Sequence, residues 1–154
     1  MNLKNMTWET KYKVAGHYNT PADTLRELAK DEDWFVRNAV ASNPNTPIDI
    51  LRELLKYSDS GSEDSTDDGI KASVAENPNT PIDVLFNLAK NDYWLIGERV
   101  AHNSKSSSNV LVRVLDYEKS LTEPERDVIY SLYKHKNLPY IAKVIIETLF
   151  RGML

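Results

Sequence analysis

The sequence predicts an all-α fold, an α-solenoid of about five tandem two-helix repeats closed by a C-terminal helical cap. Three observations predict it. The string Asn-Thr-Pro occurs at 19–21, 45–47 and 79–81. Columns of small apolar residues recur in the same register. Each recurrence also carries signals that stop one helix and start the next.

The spacing sets the repeat. Pro21 to Pro47 is 26 residues and Pro47 to Pro81 is 34, so the second interval carries an insert of 8. The insert falls within Ser58 to Gly69, which is rich in Ser, Asp and Gly, lacks apolar periodicity and reads as a solvated loop. It holds Asp59, Glu63, Asp64, Asp67 and Asp68. The same register aligns Trp8, Trp34 and Trp94, and puts Ser106 in the place of Thr80. The copies then cover about 8–33, 34–67 (with the acidic loop 58–69), 68–93 and 94–119, and the cap covers 120–154, all in a single repeat domain.

Within each copy the first helix carries Val14, Val40, Val74 and Val100, followed by Ala15, Ala41, Ala75 and Ala101. This helix, for example Phe35 to Ser42, is expected to be the shorter one, about two turns and open to 3₁₀ geometry. Asn43-Pro44 and Asn77-Pro78 stop it, since Pro disfavours α geometry in the residue before it and Asn tolerates the left-handed region. Thr20, Thr46 and Thr80, each followed by Pro and then by Asp23, Asp49 or Asp83, predict a capping box at the start of a longer second helix. That helix presents Leu25, Leu51, Leu85 and Leu111, then Leu28, Leu54, Leu88 and Val114, then Ala29, Leu55, Ala89 and Leu115, on one face. A single pair cannot bury this face, so neighbouring copies must stack. The fourth copy is degenerate, with Ser104 and Ser107 in place of Pro. Beyond Asp116 two helical stretches, Glu125 to Lys136 and Pro139 to Phe150, read as the cap.

The string Val40-Ala41-Ser42-Asn43-Pro44-Asn45-Thr46-Pro47, with Leu51 and Leu54 after it and Trp34, Val36 and Arg37 before it, resembles the leucine-rich repeat variant family over about residues 8–115. The resemblance implies alternating α and 3₁₀ helices in a right-handed superhelix, related in style to HEAT and armadillo arrays. Some members of that family carry a cysteine-rich iron–sulfur segment, which a chain without cysteine cannot have. Gly97 stands where the family has Arg, a position kept as Arg37 and Lys71.

Composition narrows the function classes. Without cysteine there are no disulfides, thiolate metal sites or cysteine nucleophiles. No apolar run approaches the roughly 20 residues of a membrane span, and Met1 to Lys11 lacks a signal-peptide core, so a cytoplasmic protein with no membrane partner is expected. The net charge of −4 disfavours a general nucleic-acid binder. The charge is uneven: residues 1–92 hold 10 Lys or Arg against 16 Asp or Glu, and residues 93–154 hold 9 against 7. His17, His102 and His135 lack metal-ligand spacing, the acidic loop lacks the EF-hand pattern, and no nucleophile elbow or phosphate-binding glycine loop occurs. No catalytic residue, cofactor or metal is expected, and the chain does not read as an enzyme.

Partner binding remains. The leading expectation is a non-catalytic scaffold for a protein or peptide, using a strip on the outward face of the second helices: Arg26, Arg52, Phe86 and Val112, with Ile50 and Val84 beside them. Cover of Phe86 and Val112 by the C-terminal helices is the competing reading of that strip. The alternative function is nucleic-acid binding through Arg113, Arg126, Lys134, Lys136 and Lys143. Trp8, Trp34 and Trp94 suit stacking on bases or gripping a Pro-rich peptide, but core packing is the favoured reading of a repeated aromatic. Asn43, Asn77 and Asn103, with His17 in the first copy, are read as helix stops.

Overall fold

The computed structural model describes residues 3–58 and 66–154. Among them are ten α-helices and no strand. In order they are α1 (Trp8–Gly16), α2 (Ala22–Leu28), α3 (Trp34–Ser42), α4 (Ile48–Ser58), α5 (Thr66–Glu76), α6 (Ile82–Leu88), α7 (Trp94–His102), α8 (Ser108–Ser120), α9 (Arg126–Lys134) and α10 (Tyr140–Leu149). The expected alternation of α and 3₁₀ helices is not found. Among the described residues, 3₁₀ turns occur only at Leu3–Asn5 and Arg151–Met153. The expected lengths are also reversed in two copies, because α2 has 7 residues against 9 in α1, and α6 has 7 against 11 in α5.

The chain divides into a unit of Met1–Thr80 and a unit of Pro81–Leu154. In the first, α1 packs on α3, α3 on α5 and α4 on α5. In the second, α7 packs on α9, α6 on α8 and α8 on α9. The packing of α1 on α3, α3 on α5, α6 on α8 and α7 on α9 fits a helical repeat. The core columns are where periodicity puts them: Ala15, Ala41, Ala75 and Ala101, and Leu25, Leu51, Leu85 and Leu111, are fully buried.

The junctions between helices use a different chemistry from the expected capping box. Thr20 Oγ1 donates to Val14 O at 2.5 Å, Thr46 Oγ1 to Val40 O at 2.6 Å and Ser106 Oγ to Val100 O at 2.5 Å, and Thr80 Oγ1 donates to Val74 O. Each hydroxyl therefore ties back to the end of the preceding helix instead of accepting from the following one. Pro21 and Pro81 occupy the N-cap positions of α2 and α6, with no side-chain cap. Pro lacks the N–H that a cap would otherwise have to satisfy. Asp23 and Asp83 still lie in the first turn, where a carboxylate favours the positive helix end.

Asn43 stops α3 in extended geometry (φ −70°, ψ 122°), not in the left-handed region. Its Oδ1 accepts from Asn45 N at 2.9 Å, and its Nδ2 donates to Ala15 O at 2.7 Å and His17 O at 2.9 Å. Asn77 repeats this with Asn79 N, Ala41 O and Asn43 O. The turn and the bond to the preceding copy thus come from one buried amide.

Part of the stretch expected to be a loop over Ser58 to Gly69 is helical, since Ser58 closes α4 and Thr66 to Gly69 open α5. Asp68 therefore sits in a helix, while Asp59, Glu63 and Asp64 lie outside the described residues.

Candidate partner-binding surfaces

The expected outward strip is only partly a surface. Ile50 and the equivalent Val110 are fully buried and Val84 is 4% exposed, so this column belongs to the core. The helical face that packs is wider than the Leu columns alone indicated. Arg26 joins two helices, with Nη1 to Asp23 Oδ1 at 3.1 Å and Nη2 to Asp49 Oδ2 at 2.8 Å. The Asp49 carboxyl is held below its usual range by this bond, and the guanidinium is raised by the same partner. Arg52 is exposed and Val112 half-buried. Phe86 stays 37% exposed, so the C-terminal helices do not cover it, but the Arg113 guanidinium lies 4.2 Å from its ring centre.

The five cations of the alternative reading are scattered. Arg113 stacks on Phe86, Arg126 Nε donates to Met153 O at 3.1 Å, and Lys143 is half-buried. Lys134 and Lys136 do share a shallow cleft with His102 and Ser104, where α7 and α9 end. Lys134 Nζ also lies 5.2 Å from the Tyr130 ring centre. Cations at helix C-termini complement the negative helix end, a sufficient structural reason for this pair.

The aromatic column is where expectation and structure part furthest. Trp8 is 44% exposed and Trp94 39% exposed, so core packing does not describe these two, whereas Trp34 is half-buried against Gly69 of α5. Trp8 stacks on Phe35 at 5.4 Å, and Phe35 on Trp34 at 4.1 Å, which makes a row of three rings across the starts of α1 and α3. Phe35 is itself 43% exposed. Asp33 fixes the entry to α3 by accepting from Phe35 N at 2.8 Å. Gly69 of α5 lies against the Trp34 ring, where an added Cβ would make only an ordinary contact at 3.8 Å.

Sequence reasoning missed Phe35, although a signal existed. Helical side chains lean toward the N-terminus, so aromatics in the first turn project past the end of the helix and beyond the packed columns. Trp8, Trp34 and Trp94 are each the first residue of a helix.

Several titratable groups bond within the fold. His135 takes the place of Asn43 at the α9 stop: its Nδ1 accepts from Asn137 N at 3.0 Å and its Nε2 faces Asn103 O at 3.2 Å. Burial lowers its pKa from the usual 6.5. Glu118, 2% exposed, accepts from Glu125 N at 2.8 Å, and burial raises its carboxyl. Tyr117 donates to Asp92 at 2.5 Å and is pushed up to about 12. His17 Nδ1 accepts from Asn19 N, and His102 faces Glu98. Among the described residues no group of three or more potential metal ligands occurs, and no helix there is long and apolar enough to cross a membrane.

Comparison with family models, with curated proteins and with solved structures finds no match for the chain.

Proposed function

We propose that the chain is a non-catalytic helical-repeat scaffold that binds a protein or peptide on the exposed aromatic row of α1 and α3. The observation that carries this reading is the row itself: Trp8, Phe35 and Trp34 stack on one another while Trp8 and Phe35 remain more than two-fifths exposed. Aromatic rings left in water on a rigid helical frame are typical anchors of protein interfaces, since each buries a large area at small entropic cost. A right-handed α-solenoid of the leucine-rich repeat variant kind, in a cytoplasmic setting, belongs to the same proposal. Its supports are the Val-Ala-Ser-Asn-Pro-Asn-Thr-Pro string at 40–47 and the packing of alternate helices.

The test is affinity capture from source-cell lysate with the native chain and a Trp8→Ala, Phe35→Ala double variant, with and without nuclease. A stoichiometric protein that survives nuclease and is lost in the variant supports the reading. Equal retention by the variant, or recovery of nuclease-sensitive nucleic acid alone, overturns it.

A further inference from the structure

The aromatic row of the first unit sits among carboxylates. Glu9 follows Trp8, Glu32 and Asp33 precede Trp34, and Asp68 precedes the Gly69 that faces the Trp34 ring. Glu9 and Glu32 are exposed, and Asp33 and Asp68 half-exposed. Of the cations on α1 and α3, Lys11 pairs with Asp31, Nζ to Oδ2 at 2.7 Å, and Lys13 acts on Glu9. Arg37 keeps its charge and donates through Nη1 to the carbonyls of Asp31 and Glu32 at 2.8 and 2.9 Å. The carboxylates Glu9, Glu32, Asp33 and Asp68 therefore outnumber the cations left without a carboxylate partner on these two helices. A hydrogen bond involving the Thr7 side chain holds the Glu9 carboxyl below its usual range, so it is ionised at neutral pH. Residues 1–80 as a whole carry 9 Lys or Arg against 14 Asp or Glu.

From this juxtaposition we infer that the row Trp8–Phe35–Trp34 recognises the cationic side chains of a basic peptide segment, with Arg preferred over Lys. The inference rests on the proposed docking role of the row and names the chemistry of its partner. A π face attracts a cation through its quadrupole, and a carboxylate at the rim adds Coulomb attraction and steers the encounter. The planar guanidinium both stacks on a ring and forms paired hydrogen bonds to a carboxylate, which an ammonium cannot do. The same carboxylates repel phosphates, so the stacking faces are placed badly for nucleic acid. The second unit shows the pairing completed internally: Arg113 lies over Phe86, and Asp92, beside Tyr93 and Trp94, is occupied by the Tyr117 hydroxyl.

Binding is read on the full chain from the indole N–H resonances of its 3 tryptophans, titrated with oligoarginine, oligolysine, an uncharged proline-rich peptide and oligodeoxythymidylate. The expected result is that oligoarginine shifts Trp8 and Trp34 while moving Trp94 much less, and that oligolysine binds more weakly. Trp8→Ala or Phe35→Ala weakens oligoarginine about tenfold. The double variant Glu9→Gln, Glu32→Gln weakens it severalfold and flattens its salt dependence. The variants' amide spectra serve as the check on folding. Equal binding of the uncharged peptide, or indifference to the double Gln variant, overturns the cationic preference and leaves the docking row standing. Oligodeoxythymidylate as the tightest ligand, or no shift of Trp8 and Trp34 with any probe, overturns both.

Discussion

Small buried polar groups at the junctions do more than the sequence motif suggests. The Thr46 hydroxyl, fully buried, donates to Val40 O at 2.6 Å. Thr46→Ala removes that donor and a packed methyl, with an expected cost of about 1–2 kcal/mol by denaturant unfolding. Thr46→Ser should recover most of it, since Ser106 makes the same bond. Gly97 presents the opposite case. It lies buried inside α7, and a Cβ there would meet Val128 methyls at 3.7 and 3.8 Å, which is ordinary contact. Gly97→Ala should therefore raise stability by about 0.5–1 kcal/mol, from the lower helix cost of Ala, and a fall in the melting temperature would contradict it.

Among the elements, the helix stops hold neighbouring copies together. Asn77 ends α5, turns the chain through Asn79 N, and donates to Ala41 O at 2.7 Å and Asn43 O at 2.8 Å. Asn77→Ala is expected to cost about 2–4 kcal/mol, because two carbonyls at a buried site lose their donor. Faster hydrogen exchange in α3 and α5, with α1 less affected, is the signature to measure. The Arg26 link between α2 and α4 is nearer the surface, and solvent screens most of its worth. Helix positions and the Val, Ala and Leu columns were readable because burial imposes a 3.6-residue period on the sequence. The Thr hydroxyl's partner was not, because a capping box and a bond back to the preceding helix place the same residue type at the same position.

At the scale of the molecule, the second unit carries an acid-sensitive joint. His135 must be neutral to accept from Asn137 N through Nδ1 while Nε2–H donates to Asn103 O. Its folded pKa is lowered below the ordinary 6.5 by burial. The unfolded chain therefore binds more protons as pH falls through that value, and stability present above it is lost progressively toward the folded pKa. Cooling of the melting temperature on acidification below about pH 6.5 is expected, and His135→Asn should reduce that loss, since Asn makes the same turn at Asn43 without titrating. Glu118 acts with the opposite sign, its raised carboxyl favouring the fold at lower pH, so the comparison with His135→Asn isolates the histidine. The C-terminal helix α10 buries Ala142 and Ile146 against the rest of its unit. Deleting Pro139 to Leu154 should uncover α9 and cause aggregation, and a monomeric, cooperatively melting truncation would contradict this.

The sequence by itself determined that the chain is helical and that the Ala and Leu columns lie in the core. Those features follow from local periodicity and from the need of each apolar face to be covered by the next copy. Tertiary structure alone decided which outward positions are surface: Ile50 and Val84 went into the core, while Trp8, read as core, lies exposed in a stacked row with Phe35. The physical reason is that burial depends on which neighbour a side chain meets, not on its spacing. Residues at the start of a helix lean past its end, and only the packed array shows whether anything lies there.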